Sequence, residues 1–350
     1  MSVTNYKCTG CSAPIAFNPS VGGFKCEYCG KTCTEQELRD FAAKVEGQWA
    51  DKHAHETHDD GSQVRQYNCP NCGAEVVCGD TTTASFCYYC HSPVIIESRL
   101  QGDFRPHKIV PFQIDQKTAV AKFSAWTAGK KFLPRDFNVK NQKHNIIGMY
   151  LPYWDIDVDV DVDYHAVGIN EHTQRKGDRE EITTERYRID RRGTMHFPAI
   201  RSLSFDKIDQ NLINAINPFY RESETAFNTT YLSGFQSERH TLPLEKAEQL
   251  ALQQAQEYAC EQLRASAHCD WVTDENDNST YRIADVAYTL LPVYILNYHY
   301  QGRDYQFAVN GETGVAMGDL PTDTQKVALF AVLVGLIVLI LALLGGIFLW

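Results

Sequence analysis

Cys8-Thr9-Gly10-Cys11, closed fourteen residues later by Cys26-Glu27-Tyr28-Cys29, returns as Cys69-Pro70-Asn71-Cys72 and Cys87-Tyr88-Tyr89-Cys90, every cysteine displaced by 61 positions. A Cys-x2-Cys turn brings two sulfurs to about 3.5 to 4 Å, and two such turns face to face supply the four soft ligands that tetrahedral zinc takes. The spacing predicts two zinc ribbons with one Zn2+ each, held by Cys8, Cys11, Cys26 and Cys29 and by Cys69, Cys72, Cys87 and Cys90. A disulfide framework needs an oxidising compartment, and residues 1–30 carry no basic stretch followed by an apolar one. Cys87 to His91 also matches a haem c attachment string, but the position aligned with His91 is Gly30; an iron-sulfur centre is the remaining alternative. Ribbons this small bury little apolar surface, so metal binding, on the order of 10 kcal/mol per site, is expected to fold them. Stripping the metal should then unfold the first hundred residues locally.

Cys33 and Cys78 fall beside the quartets and outside their spacing. They read as reduced thiols near the metal, with a substitute ligand as the alternative. Cys260 lies on a helical pattern and reads as core.

At 350 residues with 43% hydrophobic content, the chain is long enough for two or three units and a substantial core. Its formal charge is −11, and residues 1–101 hold 8 Lys+Arg against 12 Asp+Glu. A phosphate-binding module shows a basic stripe, so the ribbons are expected to meet protein, with nucleic acid the weaker alternative. From Val327 to Trp350 no residue is charged. As a helix this run measures roughly 36 Å, against a hydrocarbon core of about 30 Å. It predicts a transmembrane helix that tail-anchors the chain to lipid, with the reduced cysteines on the cytoplasmic side of the inner membrane. Ala331 with Gly335 and Ala342 with Gly346 make small-xxx-small pairs through which spans could self-associate.

The expected order is ribbon 1 (1–33), a helical and polar linker (34–66), ribbon 2 (67–98), a first α+β module with a long hairpin and connection (99–240), a second α+β module (241–318), a hinge (319–326) and the span (327–350). In the linker, Thr34 with Glu37 can cap a helix carrying Leu38, Phe41, Val45 and Trp49. His53, His55 and His58 follow among acidic residues and read as polar linker, with a metal site as the alternative. Asp115 is placed to cap a helix with Ala119, Val120, Phe123 and Trp126, stopped by Gly129. A Leu151-Pro152-Tyr153-Trp154 strand follows. The order returns as Leu242-Pro243-Leu244, opening a helix with Ala247, Ala251, Ala255, Tyr258 and Leu263, and then the strand Leu290-Leu291-Pro292-Val293-Tyr294, which predicts two helix-strand repeats.

Asp155, Asp157, Asp159, Asp161 and Asp163 alternate with Ile156, Val158, Val160 and Val162, so five carboxylates share one strand face. A hairpin across a turn in 169–180, with Arg186, Arg188 and Arg192 opposite them, is the structural reading; a calcium site is its rival, weakened because same-face positions lie nearly 7 Å apart. Residues 201–240 read as a buried connection, and Tyr305 to Val309 as a strand turning at Asn310-Gly311.

The doubled quartet, Leu151-Pro152-Tyr153-Trp154, Tyr231-Leu232-Ser233-Gly234-Phe235 and the terminal apolar run together resemble a bacterial family of zinc-ribbon, single-span membrane proteins. Its members are encoded beside homologues of the phage-shock protein PspA and beside SPFH (flotillin-like) scaffold proteins, and are often labelled TFIIB-type zinc ribbon proteins or primosomal helicase PriA. The resemblance covers the whole length and implies a non-enzymatic adaptor that recruits a scaffold protein during envelope stress. Against the helicase label, no Gly-x4-Gly-Lys-Ser/Thr phosphate loop is present. Against an enzyme, no His-Glu-x2-His or Gly-x-Ser-x-Gly occurs, and zinc with four thiolates has no place for water.

Overall fold

The alternating aspartates from Asp155 to Asp163 lie on the longest strand of the molecule, Ile147–Lys176, whose 30 residues span about 100 Å. The computed structural model describes residues 3–49, 64–134, 137, 145–176 and 179–348, with the side chains of 45–49, 64–66, 176, 179 and 339–348 left out. In chain order the strands are β1 (Val3–Thr4), β2 (Phe17–Asn18), β3 (Gly23–Lys25), β4 (Thr32–Cys33), β5 (Val64–Asn68), β6 (Glu75–Gly79), β7 (Thr82–Phe86), β8 (Pro93–Ile96), β9 (Lys108–Ile109), β10 (Ile147–Lys176), β11 (Arg179–Leu203), β12 (Thr225–Ala226), β13 (Gln236–Glu238), β14 (Trp271–Asp277), β15 (Thr280–Tyr300), β16 (Arg303–Asn310) and β17 (Ala316–Gly318). The helices are α1 (Glu35–Trp49), α2 (Gln116–Ala128), α3 (Gln210–Asn214), α4 (Leu244–Ala265) and α5 (Thr324–Phe348).

Twelve of these strands form one sheet, along the path β1-β8-β7-β13-β10-β15-β16-β17 with β11, β14, β9 and β12 attached. It is mixed, because β13 meets β10 and β9 meets β15 in parallel while the other pairs are antiparallel. β14 and β15 both run antiparallel to β10, one beyond the other, so a nearly continuous strand from Trp271 to Tyr300 flanks β10 on one side while β11 flanks it on the other.

Helix α4 turns an alanine stripe, Ala247, Ala251, Ala255 and Ala259, to the sheet. Residues four apart share a helix face, and small side chains there let the axis sit close to β10, β11 and β15. The stripe belongs to the same buried cluster as Val158, Val160, Tyr164 and Phe197. A second cluster, with Leu151, Tyr153, Leu291, Val293 and Phe219, fills the other face of the sheet's lower half.

The local signals hold where a cap defines them. Thr34 and Glu37 exchange reciprocal hydrogen bonds at the start of α1, from the Thr34 amide to the Glu37 carboxylate at 2.8 Å and from the Glu37 amide to the Thr34 hydroxyl at 3.2 Å. Asp115 caps α2 by accepting from the Thr118 amide at 2.8 Å.

Three expectations are corrected. The chain is not two ribbons followed by two α+β modules and a membrane helix: it is mostly β, dominated by one large mixed sheet. The two Leu-Pro strands are hydrogen-bonded neighbours within that sheet, Leu151 directly opposite Leu291, so they do not begin separate modules. Among the described residues no helix is long and apolar enough to cross a membrane. That overturns the transmembrane helix expected over 327–350. The tail-anchored, inner-membrane reading, with lipid as a partner, falls with it; residues 339–350 of the expected span lie outside the described side chains.

The aspartate ladder is a hairpin, but its partners differ from those expected. Asp163 pairs with Arg192 at 2.8 Å, whereas Asp155 pairs with Arg201 at 2.9 Å, Asp157 with Arg221 at 3.1 Å, Asp159 with His196 at 2.8 Å and Asp161 with Arg282 at 2.8 Å. Arg188 turns to Asp190 on its own strand at 2.8 Å, and Arg186 lies opposite Ile169. The strands run further than the polar composition of 169–180 indicated, β10 to Lys176 and β11 from Arg179, and a register shift between Ile156 and Val158 resets which residues face each aspartate.

Candidate metal centres

The eight quartet cysteines form two sets in which every sulfur lies within 4.8 Å of the others. Cys8 to Cys29 and Cys11 to Cys26 measure 3.6 Å; Cys69 to Cys90 and Cys72 to Cys87 measure 3.7 Å. A disulfide requires about 2.05 Å. A tetrahedron of sulfurs 2.3 Å from a central ion has edges of about 3.8 Å. The donor sets therefore fit a tetrahedral metal ion bound by four thiolates.

Each set is built from two copies of one turn. In all four, the first cysteine's amide donates to the carbonyl five residues on (Ala13, Lys31, Ala74 and Ser92, at 2.7 to 2.9 Å), and the amide four residues on (Ser12, Gly30, Gly73 and His91) donates back to that cysteine's carbonyl at 2.9 Å. The turn closes only if this fourth residue is left-handed, and Ser12, Gly30, Gly73 and His91 have φ of 60°, 74°, 73° and 53°. His91 thus occupies the turn position, equivalent to Gly30, which accounts for the string that mimics haem attachment.

The thiols differ in their surroundings. Burial pushes Cys8 up, but the amides of Gly10 and Cys11 and the Cys29 and Cys26 thiols outweigh it and hold Cys8 down to about 6. Burial likewise opposes Cys90, which hydrogen bonds from Ser92 and Asn71 bring down to about 6. Cys33 is buried on β4 with its sulfur 3.5 Å from the Thr9 hydroxyl, and Cys78 is buried on β6, where burial pushes its thiol up. Neither belongs to a ligand set. Cys260 is half-buried against Asp277 at 3.7 Å. His53, His55 and His58 lie outside the described residues. The aspartate ladder brings no three carboxylates together among the described residues.

Both centres are tied into the main sheet. Strands β7 and β8, which carry Cys87 between them and Cys90, are sheet strands, and β1, preceding Cys8, pairs with β8 through Val3–Ile96 and Thr4–Ile95. The first ribbon sits on the segment Tyr231-Leu232-Ser233-Gly234-Phe235. The Phe17 amide donates to the Ser233 carbonyl at 2.9 Å, the Ser233 hydroxyl donates to the Ile15 carbonyl at 2.6 Å, and the Phe17 and Phe24 rings lie 5.3 and 6.3 Å from Tyr231. Sequence reading placed this segment in a buried connection and missed its role as the seat of the ribbon.

The outer tips of the metal turns carry exposed aromatics. Tyr28 and Tyr89, 61 residues apart and hence equivalent, are 79% and 69% exposed, and Tyr88 is 85% exposed with its ring against Tyr89 at 5.8 Å. The repeat offset made this equivalence visible in the sequence.

No protein-family model matches the chain, and no solved structure does. The chain is similar to the uncharacterized protein YdjG of Bacillus subtilis (strain 168), 27% identical over 337 residues that cover 93% of this chain and 92% of that protein.

Proposed function

We propose that the chain is a non-enzymatic, zinc-dependent adaptor whose ribbons bind a scaffold protein of the PspA or SPFH type, the partner class implied by the family resemblance. The observation that carries this reading is the pairing of closed metal sites with exposed tyrosines. Four thiolates surround each site, leaving no position for substrate or water, so the ion serves as a structural cross-link. Zinc suits that role, having no redox chemistry and preferring a tetrahedral thiolate shell. The surface that each cross-link holds rigid presents Tyr28, or Tyr88 and Tyr89, to solvent. Tyrosine is enriched among the residues that dominate binding at protein interfaces.

The test is direct binding of purified PspA-type and SPFH-type scaffolds to the full chain. Tyr28→Ala with Tyr88→Ala and Tyr89→Ala should retain two zinc ions per chain and wild-type unfolding, yet lose the scaffold. Binding left intact by the triple substitution, or two scaffolds that never bind the zinc-loaded wild type, would remove the proposal. Salt-dependent binding of duplex or single-stranded DNA would favour the nucleic-acid alternative instead.

A further inference from the structure

Strand β11 is paired along its inner side with β10 without interruption from Phe197 to Arg179, and no strand covers its outer side among the described residues. Residues Glu180 to Arg192 of that free edge extend about 43 Å. Monomeric proteins blunt long edges with charged side chains, lysine above all, with proline or with a bulge, and mixed charge along an edge repels most partners. This stretch contains no lysine or proline, and its pairing shows no register shift. Its charges are segregated instead: Glu180, Glu181 and Glu185 precede Arg186, Arg188, Arg191 and Arg192, with Asp190 the one exception. A strand acidic in its first half and basic in its second repels a parallel copy and complements an antiparallel one.

We propose that two copies of this chain associate edge to edge through β11, antiparallel about a two-fold axis at Arg186, forming one sheet across the pair. A two-fold axis requires a residue to face its own copy. With Arg186 on the axis, Glu180 faces Arg192 of the other copy and Glu181 faces Arg191, four opposite-charge pairs set against one like-charge contact, that of Arg186 with its own copy. The first pair lies on the open face of the sheet, where Arg188 and Arg192 are 75% and 74% exposed. The second lies on the face beneath α4, where Tyr187 donates to the Ala267 carbonyl and Arg191 to Ser266. Backbone hydrogen bonds from the uncovered edge supply the affinity, and the four Glu–Arg pairs set direction and register. This inference is independent of the ribbons and of the adaptor reading.

The test is sedimentation of the full chain over about 0.5 to 50 µM in a mild nonionic detergent, which masks the exposed apolar side chains of α5 so that they do not drive association. The expected result is a monomer–dimer equilibrium that weakens with salt. Glu180→Arg with Glu181→Arg should weaken it roughly thirtyfold, since all four pairs become repulsive. Mixing that variant with Arg191→Glu plus Arg192→Glu restores every pair and should restore the dimer. Arg186→Cys should cross-link to its own copy on mild oxidation, read as a 186–186 peptide by mass spectrometry. A chain that stays monomeric over this range, or a dimer indifferent to both charge reversals, overturns the proposal.

Discussion

Replacing Gly234 by alanine should unseat the first metal ribbon, and the size of the effect follows from two features of that position. Its φ is +96°, where an L-residue is strained by about 1–2 kcal/mol. A Cβ built there would also lie 2.5 Å from the Ala16 Cβ, far inside contact distance, and that methyl is fixed to the backbone with no rotamer by which to swing aside. Overpacking of this kind costs about 1–3 kcal/mol. The sum, about 2–5 kcal/mol, is a large share of the stability of an ordinary domain. Relief is available only if the ribbon lifts, giving up the Phe17–Ser233 and Ser233–Ile15 hydrogen bonds and the contacts of both phenylalanine rings with Tyr231.

Gly22 supplies the control. It has φ +60° but nothing within 4 Å of its Cβ, so Gly22→Ala carries the backbone cost of about 1–2 kcal/mol without the collision. Urea unfolding gives the two losses. Hydrogen exchange over residues 15–24 and 229–235 reports whether the ribbon has moved. If Gly234→Ala costs no more than Gly22→Ala and exchange in both segments is unchanged, the ribbon is not seated as described.

Four further outcomes are expected. Arg201→Met leaves Asp155 and Glu224 buried without their shared cation and should cost about 3–5 kcal/mol in urea unfolding, whereas Arg192→Met, on an exposed pair, should cost under about 1 kcal/mol; equal losses would contradict the burial argument. Asn310→Ala removes two bonds from Nδ2 to the Ile216 and Pro218 carbonyls and two accepted from the Glu312 and Thr313 amides, a loss of about 2–4 kcal/mol that a wild-type melting curve for the variant would refute. The Thr118 hydroxyl and amide hold Asp115 below the ordinary carboxylate range, so its cap contributes above its unfolded value near 4 and is lost as pH falls through the lower folded value; Asp115→Ala should cost about 1 kcal/mol at pH 7 and progressively less as the pH is lowered below about 4, and a cost independent of pH would refute the charged cap. Chelation should release two metal ions per chain, measured by a zinc-indicator dye, and should raise hydrogen exchange in 229–235 as well as in the first hundred residues; exchange confined to the ribbons would show that they are uncoupled from the core.

The quartets were legible because metal ligation fixes ligand type and spacing within a few residues, and their repetition at one offset makes a chance pattern improbable. Asp115, Thr34 and Glu37 were legible for the same reason, since a cap is settled within four residues. The aspartate ladder shows where local reading ends. Alternation predicts a strand and a charged face, but which cation meets which aspartate depends on a register shift at Ile156 and on Arg221 and Arg282, both distant in sequence. The repeat of a helix and a Leu-Pro strand was visible, while the antiparallel pairing of Leu151 with Leu291 within one sheet was not, because no local signal records that two strands 140 residues apart are neighbours. The apolar run from Val327 gave the least secure guide: its composition predicts a span, whereas no helix among the described residues is long and apolar enough to cross a membrane.

The two centres should differ in how far their loss spreads, and the sheet order gives the reason. The second centre closes on β7 and β8 through Cys87 and Cys90, and β13 links β7 to β10, so this half of its ligand set is two strands away from the longest strand, while Cys69 and Cys72 lie on the separate β5-β6 hairpin. Arg99 reinforces that junction: it is buried, donates to the Gly79 and Thr82 carbonyls, and lies over the Tyr67 ring at 5.3 Å. Losing the second ion would loosen a sheet edge that β13 and Arg99 still hold from the other side. The first centre lies beside β2, β3 and β4, a separate three-stranded sheet joined to the rest by β1, by the contacts around Ser233 and Tyr231, and by the Tyr6–Thr229 and Ser20–Asp115 hydrogen bonds, so side-chain contacts carry most of its attachment. Yet Tyr6, Ile15, Phe17 and Phe24 belong to the same buried cluster as Trp154 and Tyr288. Cys8→Ser with Cys11→Ser should therefore expose more of the central core than Cys69→Ser with Cys72→Ser, seen as faster exchange at 154 and 288 in the first variant alone. The reverse order would mean that the hydrogen-bonded edge, and not the packed ribbon, is the weaker join.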